Sequence, residues 1–296
     1  MIKKIGCLIA LLFGISKSSL AQSPIFPYQM LEPKRVLTLD KELVEISGLG
    51  LSEDGKELIA VQDEKGKIFR LDKKKGKIIG TFDFWKKGDY EGVEVVGRHI
   101  FVVKSTGTIY KIDYPDQKNQ KVEKLKFFLS KDNDVEGLCY DKAQNRLLVA
   151  CKAKAGSEDK FLYKKGIYSL DLGDMQLSKE PTYMVSLDEV QDYLATDPMI
   201  RKLEKVMEFF QPSEGGFTFA PSAIAIHPKS GHIYITSAVG KLLLVMDTAG
   251  KILHIENLKK SLHAQPEGIC FDEDGTLYIA NEGKDKKGKI LVYKMK

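Results

Sequence analysis

The feature that most constrains the fold is a short motif that recurs along the chain at a nearly constant spacing. In each copy a polar residue precedes Gly or Ala, and an aliphatic residue follows at the start of a strand-like run. The five copies are Ser47-Gly48-Leu49, Glu91-Gly92-Val93, Glu136-Gly137-Leu138, Ser222-Ala223-Ile224 and Glu267-Gly268-Ile269. Their central residues are separated by 44, 45, 86 and 45 residues. Such a period predicts a repeat architecture built from one supersecondary unit.

Each unit continues with a Gly/Asp/Asn turn, an apolar strand, a glycine and a third strand, which is typical of antiparallel sheet. Candidates for a fourth strand follow in the first four units, at residues 77–82, 122–129, 181–187 and 251–258. The fifth unit has none, but an extra strand at residues 35–40 precedes the first unit. We therefore predict an all-β, five-bladed β-propeller over residues 34–296, closed by its N-terminal strand.

The long third interval predicts a helical insertion between blades three and four, at about residues 186–216. Ser186 and Glu189 match a capping box, which starts a helix. A second helix is expected from Asp197, with Pro198 in its first turn. The insertion either caps one mouth of the channel or packs as a pad outside blades three and four.

The N-terminus has the pattern of a secretory signal peptide. Lys3 and Lys4 precede an apolar run, and small residues lead to a cleavage site after Ala21. We predict a signal peptide at residues 1–21, a linker at residues 22–33 and a periplasmic or secreted protein without a stable membrane span after cleavage. Residues 1–21 carry three of the 46 Lys and Arg residues and none of the 41 Asp and Glu residues, so the mature net charge is 43 − 41 = +2. That balance gives no support to nucleic acid binding.

Three cysteines remain after cleavage, at positions 139, 151 and 270. Each lies in an apolar strand-like run, and an odd number argues against a disulfide framework. We expect buried free thiols.

The residue before each central Gly or Ala is expected to lie at one level around the channel, because the first strand of a propeller blade lines the axis. These residues are Ser47, Glu91, Glu136, Ser222 and Glu267. Two carboxylates about 4 Å apart repel by roughly 4 kcal/mol at an effective dielectric constant near 20. The ring therefore requires a cation, shared protons or lysines.

A second level is expected at the ends of the second strands. Equivalent positions there hold Asp63, Lys104, Lys152, Ser237 and Asn281, with Glu282 beside Asn281. Oxygen ligands of this kind suit calcium. The predicted metal ligands are Glu91, Glu136, Glu267, Asp63 and Asn281. The alternative is a glutamate–lysine network in which Lys104 and Lys152 neutralise the carboxylates without a metal.

The repeated Glu-Gly-aliphatic motifs, five units and export pattern resemble the SdiA-regulated family of bacterial proteins, which is distantly similar to NHL-repeat propellers. The resemblance covers about residues 36–293. It implies a five-bladed propeller with calcium in the channel region and, by analogy with lactonases and phosphotriesterases, a hydrolase role.

Two functions follow as hypotheses. The first is a calcium-dependent hydrolase of small esters, lactones or phosphoesters, with Glu267 and Asp63 as catalytic candidates. The second is a non-catalytic propeller that binds an extracytoplasmic protein, peptide or glycan, with structural calcium or no metal. A monomer is expected in both cases.

Overall fold

The computed structural model describes residues 25–113, 115, 118–196, 204–213, 216–284 and 286–296. The predicted signal peptide and the predicted second helix start at Asp197 lie outside these residues.

Among the described residues, the strands form five four-stranded antiparallel sheets, so the predicted five-bladed propeller is confirmed. Blade 1 contains β2 (Ile46–Leu51), β3 (Glu57–Gln62), β4 (Lys67–Asp72) and β5 (Ile78–Asp83). Blade 2 contains β6 (Tyr90–Val96), β7 (His99–Lys104), β8 (Ile109–Asp113) and β9 (Lys121–Leu125). Blade 3 contains β10 (Val135–Asp141), β11 (Arg146–Cys151), β12 (Lys164–Asp171) and β13 (Tyr183–Ser186). Blade 4 contains β16 (Pro221–Ile226), β17 (Ile233–Ser237), β18 (Leu242–Met246) and β19 (Ile252–Asn257). Blade 5 contains β20 (Pro266–Phe271), β21 (Leu277–Asn281), β22 (Lys289–Tyr293) and β1 (Arg35–Thr38).

The N-terminal strand closes the ring as predicted. β1 pairs antiparallel with β22, from Arg35 opposite Val292 to Thr38 opposite Lys289. The first strands of the blades contact one another in the order β2, β6, β10, β16, β20 and back to β2. They are therefore the innermost strands and surround the axis.

The hydrophobic core is divided among the interfaces between neighbouring blades. On β11, Leu147, Val149 and Cys151 pack toward blade 2, whereas Leu148 and Ala150 pack toward blade 4. Alternate side chains of a strand point to opposite faces, and both faces of this sheet are covered. This explains why the strands read as continuous apolar runs.

The three cysteines are buried and free. Cys139 lies between blades 3 and 4, Cys151 between blades 2 and 3, and Cys270 between blades 5 and 1.

The insertion begins with α1 (Leu187–Thr196), and its capping box is present. Ser186 Oγ lies 3.0 Å from Glu189 Oε2 and accepts the Glu189 N–H at 3.2 Å. Val190 and Leu194 of α1 are buried between blades 3 and 4, and α1 contacts the outer strands β13 and β19. The described helix is thus a pad between blades rather than a cap over the axis.

The remaining short elements lie in the insertion and in loops. They are α2 (Glu204–Met207), β14 (Pro212–Ser213), β15 (Gly216–Phe217) and the 3-10 helices Lys41–Leu43, Asp159–Phe161 and Glu208–Phe210. No helix of the described residues is long and apolar enough to cross a membrane.

Part of the predicted linker packs on the propeller. Tyr28 and Met30 are buried against blades 4 and 5, and the Tyr28 hydroxyl donates to the Gly275 carbonyl at 2.6 Å.

Candidate channel site

A break in strand register marks the repeated motif in each innermost strand. In β6, Tyr90 pairs with Lys104 and Gly92 with Val103, so Glu91 has no partner in the ladder. The same irregularity leaves Glu136, Ser222, Glu267 and the Ser47-Gly48 pair unpaired in the other four blades. Bulges of this kind redirect a side chain. The motif therefore encodes one local geometry five times around the axis.

Close packing of neighbouring blades explains the central glycine. A Cβ atom on Gly92 would lie 2.9 Å from Leu138 Cβ and 3.1 Å from the Glu136 carbonyl oxygen of blade 3. Gly268 meets Leu49 and Ser47 of blade 1 in the same way, at 2.8 and 3.0 Å. The innermost strands approach too closely there for a side chain.

The bulges bring three of the five predicted ring residues into one electrostatic group. The carboxylates of Glu91 and Glu267 are both influenced by Glu136 and by the ammonium of Lys152. Lys152 Nζ donates to Glu136 Oε1 at 2.7 Å and lies 3.9 Å from Asp134 Oδ2. We call Glu91, Glu136, Glu267 and Lys152 the channel cluster.

Lys152 is held from behind by a second lysine. The buried Lys165 donates from Nζ to the carbonyl oxygens of Lys152 and Ala153, at 2.8 and 3.2 Å. These hydrogen bonds fix the backbone that directs Lys152 toward Glu136.

Burial dominates the protonation of the cluster. Burial, with repulsion from Glu136, raises the pKa of Glu267 to about 8. The same two causes raise the pKa of Glu91 well above its usual range. Burial also raises the pKa of Glu136, while Lys152 opposes that rise. Although burial disfavours charged Lys152, Glu136 raises its pKa above the usual value.

The two serines of the predicted ring have other roles. Ser222 is buried and donates to the Pro266 carbonyl at 2.7 Å, which ties blade 4 to blade 5. Ser47 is also buried. Neither hydroxyl contacts the glutamates in the described hydrogen bonds.

The second level is only partly joined to the channel cluster. Burial raises the pKa of Asp63 to about 6, with Glu45 and Glu282 adding repulsion. Glu282 accepts a hydrogen bond from Gln265 and also raises the pKa of Glu267.

Three other residues of the second level form no hydrogen bond or ion pair with the channel cluster among the described residues. Asn281 is buried with Nδ2 directed to His263 Nδ1 and to the Ile279 carbonyl. Ser237 donates to the Val239 carbonyl at 2.7 Å. Lys104, the counterpart of Lys152, forms no ion pair within the described part of the chain.

Two aspartates at the outer rim of the channel mouth that holds the cluster were not predicted from the sequence. Asp89 and Asp134 lie two residues before Glu91 and Glu136 and interact with the cluster. The same repeat position holds Glu45 in blade 1 and Gln265 in blade 5. Extending the repeat alignment by two residues would have found them.

Fold and site together define a five-bladed β-propeller with a carboxylate-rich channel mouth. The profile of the SdiA-regulated family matches residues 28–157 and 176–284, and the chain belongs to that family. No curated protein matches the sequence.

Among solved structures, glutaminyl cyclase from Myxococcus xanthus superposes with a TM-score of 0.57, at 11% identity over 89% of this chain and 95% of that chain. Virginiamycin B lyase from Staphylococcus aureus superposes with a TM-score of 0.45, at 13% identity over 88% of this chain and 73% of that chain. At 11% identity, the similarity to glutaminyl cyclase shows a shared fold alone.

Proposed function

We propose that the channel cluster binds calcium and that the protein acts outside the cytoplasm as a calcium-containing propeller. The observation that carries this proposal is the gathering of three glutamates around one ion-paired lysine, with Glu136 buried and Glu91 and Glu267 half-buried. Carboxylates in a region of low dielectric need a compensating cation or a bound proton. Asp89 and Asp134 add further negative charge at the rim.

The donor chemistry fits a hard cation. Glu267 Oε2, Asp63 Oδ1 and Asn281 Oδ1 are buried oxygens without a hydrogen-bond partner in the described structure. Calcium accepts carboxylate and amide oxygens in flexible geometry. Within the described residues, however, no group of three acidic, His or Cys side chains is arranged around one point. Calcium would therefore have to compete with Lys152 for Glu136.

The residues that would hold calcium are Glu91, Glu136 and Glu267, with Asp63 and Asn281 as further oxygen donors. Bound calcium would polarise a carbonyl or phosphoryl oxygen. The test is calcium binding to chelator-treated protein, compared with the triple variant Glu91→Gln/Glu136→Gln/Glu267→Gln. Isothermal calorimetry measures the heat of binding. A binding heat that is present in wild type and absent in the triple variant supports the site, whereas equal binding heats in the two proteins contradict it.

The activity that we propose is hydrolysis, with Glu267 as the general base. Its Oε2 has no hydrogen-bond partner among the described residues, and burial raises its pKa to about 8. The ionised form that accepts a proton therefore predominates only above about pH 8. In ester hydrolysis, Glu267 would take a proton from water as the water oxygen bonds to the carbonyl carbon. The proton would then pass to the departing alkoxide as the C–O bond breaks.

The activity test uses an aryl ester, an aromatic lactone and an aryl phosphotriester. We expect Glu267→Gln to abolish turnover of any accepted substrate. Glu123→Gln, at an exposed position on the outer strand β9, should retain it. Undiminished turnover in Glu267→Gln would remove the catalytic assignment.

A non-catalytic propeller is the second candidate. Calcium binding without turnover of any of these substrates would favour it, with the metal stabilising the blades. Protein, peptide or glycan partners would then be sought on the rims.

The proposed export depends on residues 1–21 acting as a cleaved signal peptide. N-terminal sequencing of protein recovered from a bacterial host should begin at Gln22. A sequence that retains Lys3 would contradict cleavage.

A further inference from the structure

The opposite mouth of the channel contains a cavity of about 700 Å³. All five innermost strands line it near their last residues, through Leu51, Glu94, Tyr140, Ala225 and Cys270. The three glutamates of the channel cluster lie near the first residues of the same strands, so this cavity is a separate site. Its volume is within the range of small-molecule sites in proteins.

A single charged residue lies at the level where the strands enter this cavity. In each innermost strand, we consider the position three residues after the predicted ring residue. The five blades carry Gly50, Glu94, Cys139, Ala225 and Cys270 there. Burial raises the pKa values of both cysteine thiols, so they are neutral at physiological pH. Burial also raises the pKa of Glu94, to about 7. Glu94 is therefore the one side chain of this tier that carries a charge near neutral pH.

The Glu94 carboxylate is positioned by backbone of two blades. It accepts the N–H of Val95 at 2.9 Å and the N–H of Tyr140 in blade 3 at 3.0 Å. Its described charged neighbour is Glu53, another carboxylate. Among the described residues it has no ion pair with Lys, Arg or His.

The rim does not supply the missing positive charge. Arg146 pairs with Asp141 at 2.9 Å and stacks on Tyr183 at 5.5 Å from the ring centroid. Lys142 and Glu273 are exposed and of opposite charge. A half-buried carboxylate without a counterion favours a ligand that brings one.

The remaining wall is mostly apolar and aromatic. Tyr140, Phe271, Ile233 and Ile269 line the cavity beside Glu94. Aromatic faces attract cations as well as apolar groups. The cavity thus offers the carboxylate of Glu94, which has no ion pair among the described residues, and room for an apolar body.

We propose that this second mouth binds a small organic cation, with its ammonium group beside Glu94 and its apolar body against the aromatic wall. The site is independent of the calcium proposal, because none of its residues belongs to the channel cluster.

The test compares two probes of equal size, 2-phenylethylamine and 2-phenylethanol, by ligand-observed NMR on the purified protein. We expect the amine to bind about tenfold more tightly than the alcohol, since only the amine forms a charge-assisted hydrogen bond. Glu94→Gln should reduce amine affinity to that of the alcohol. Glu123, an exposed carboxylate on the outer strand β9, lies outside the cavity. The variant Glu123→Gln is therefore the matched control and should leave the affinity unchanged.

Equal affinities for amine and alcohol, no saturation by either probe, or full amine binding in Glu94→Gln would overturn the proposal. So would amine binding that is lost in the triple glutamate variant of the channel cluster and retained in Glu94→Gln. A thermal melt verifies that each variant is folded. If Glu94→Gln is unfolded, Ala225→Leu replaces it, because the larger side chain fills the cavity without changing charge and should block both probes.

Discussion

Replacing Lys152 with Met tests the electrostatic balance of the channel cluster. The substitution keeps an unbranched apolar side chain and removes the ammonium that pairs with Glu136 at 2.7 Å. Removing one partner of a buried ion pair costs about 3–5 kcal/mol. Here the Glu136 side chain is 6% exposed but that of Lys152 is 36% exposed. Solvent screening reduces the expected loss to roughly 2–3 kcal/mol.

The loss should increase with pH. The pKa of Lys152 is raised, so its charge does not change between pH 5 and 9. Burial raises the pKa of Glu136, and without Lys152 that pKa rises further. At pH 5 a protonated Glu136 needs no counterion, whereas at pH 8.5 folding must either bury an unpaired carboxylate or protonate it. The free-energy difference between wild type and variant is therefore larger at pH 8.5.

Urea unfolding followed by circular dichroism at pH 5 and 8.5 measures this difference. Lys104→Met is the matched control, because Lys104 occupies the equivalent position in blade 2 without an ion pair in the described structure. Its effect should stay within about 0.5 kcal/mol. Equal losses in the two variants, or a Lys152→Met loss that is independent of pH, would refute the reasoning.

Three further predictions concern the scaffold and use the same unfolding assay or sedimentation. Gly92→Ala should lower the free energy of unfolding by about 1–3 kcal/mol, because the added methyl group overpacks against blade 3. Ala223→Gly, at the equivalent position of blade 4, should lower it by no more than about 1 kcal/mol. Similar losses in the two variants would contradict the close-packing explanation. Ser186→Ala should cost about 1 kcal/mol by removing the cap of α1, and an unchanged midpoint would argue against that cap. Deletion of Arg35–Thr38 should expose the edge of β22 and cause concentration-dependent association in sedimentation velocity; a monomer of wild-type stability would show that β1 does not seal the ring.

The fold was predictable because each blade repeats one local pattern. The Gly in the motif reflects contact with the next blade, and the polar residue before it reflects the bulge. The unpaired strand at residues 35–40 had one place to pair, and the structure has Arg35–Thr38 there.

The site was harder to predict, since charge compensation depends on side-chain reach. Repeat alignment placed Lys104 and Lys152 at equivalent positions, but only Lys152 pairs with a glutamate in the described residues. Nothing in the local sequence distinguishes them, because the difference lies in contacts such as those that Lys165 makes to the Lys152 backbone. The same alignment would have identified Glu94 as the one acidic residue at the position three residues after the predicted ring.

Calcium titration by isothermal calorimetry tests the central claim most directly. Chelator-treated wild type should release or absorb heat on binding, and the Glu91→Gln/Glu136→Gln/Glu267→Gln variant should give only the heat of dilution. Lys152→Met should bind calcium more tightly than wild type, because it removes the competing ammonium. Absence of binding by wild type, or undiminished binding by the triple variant, would contradict a calcium site in the channel cluster.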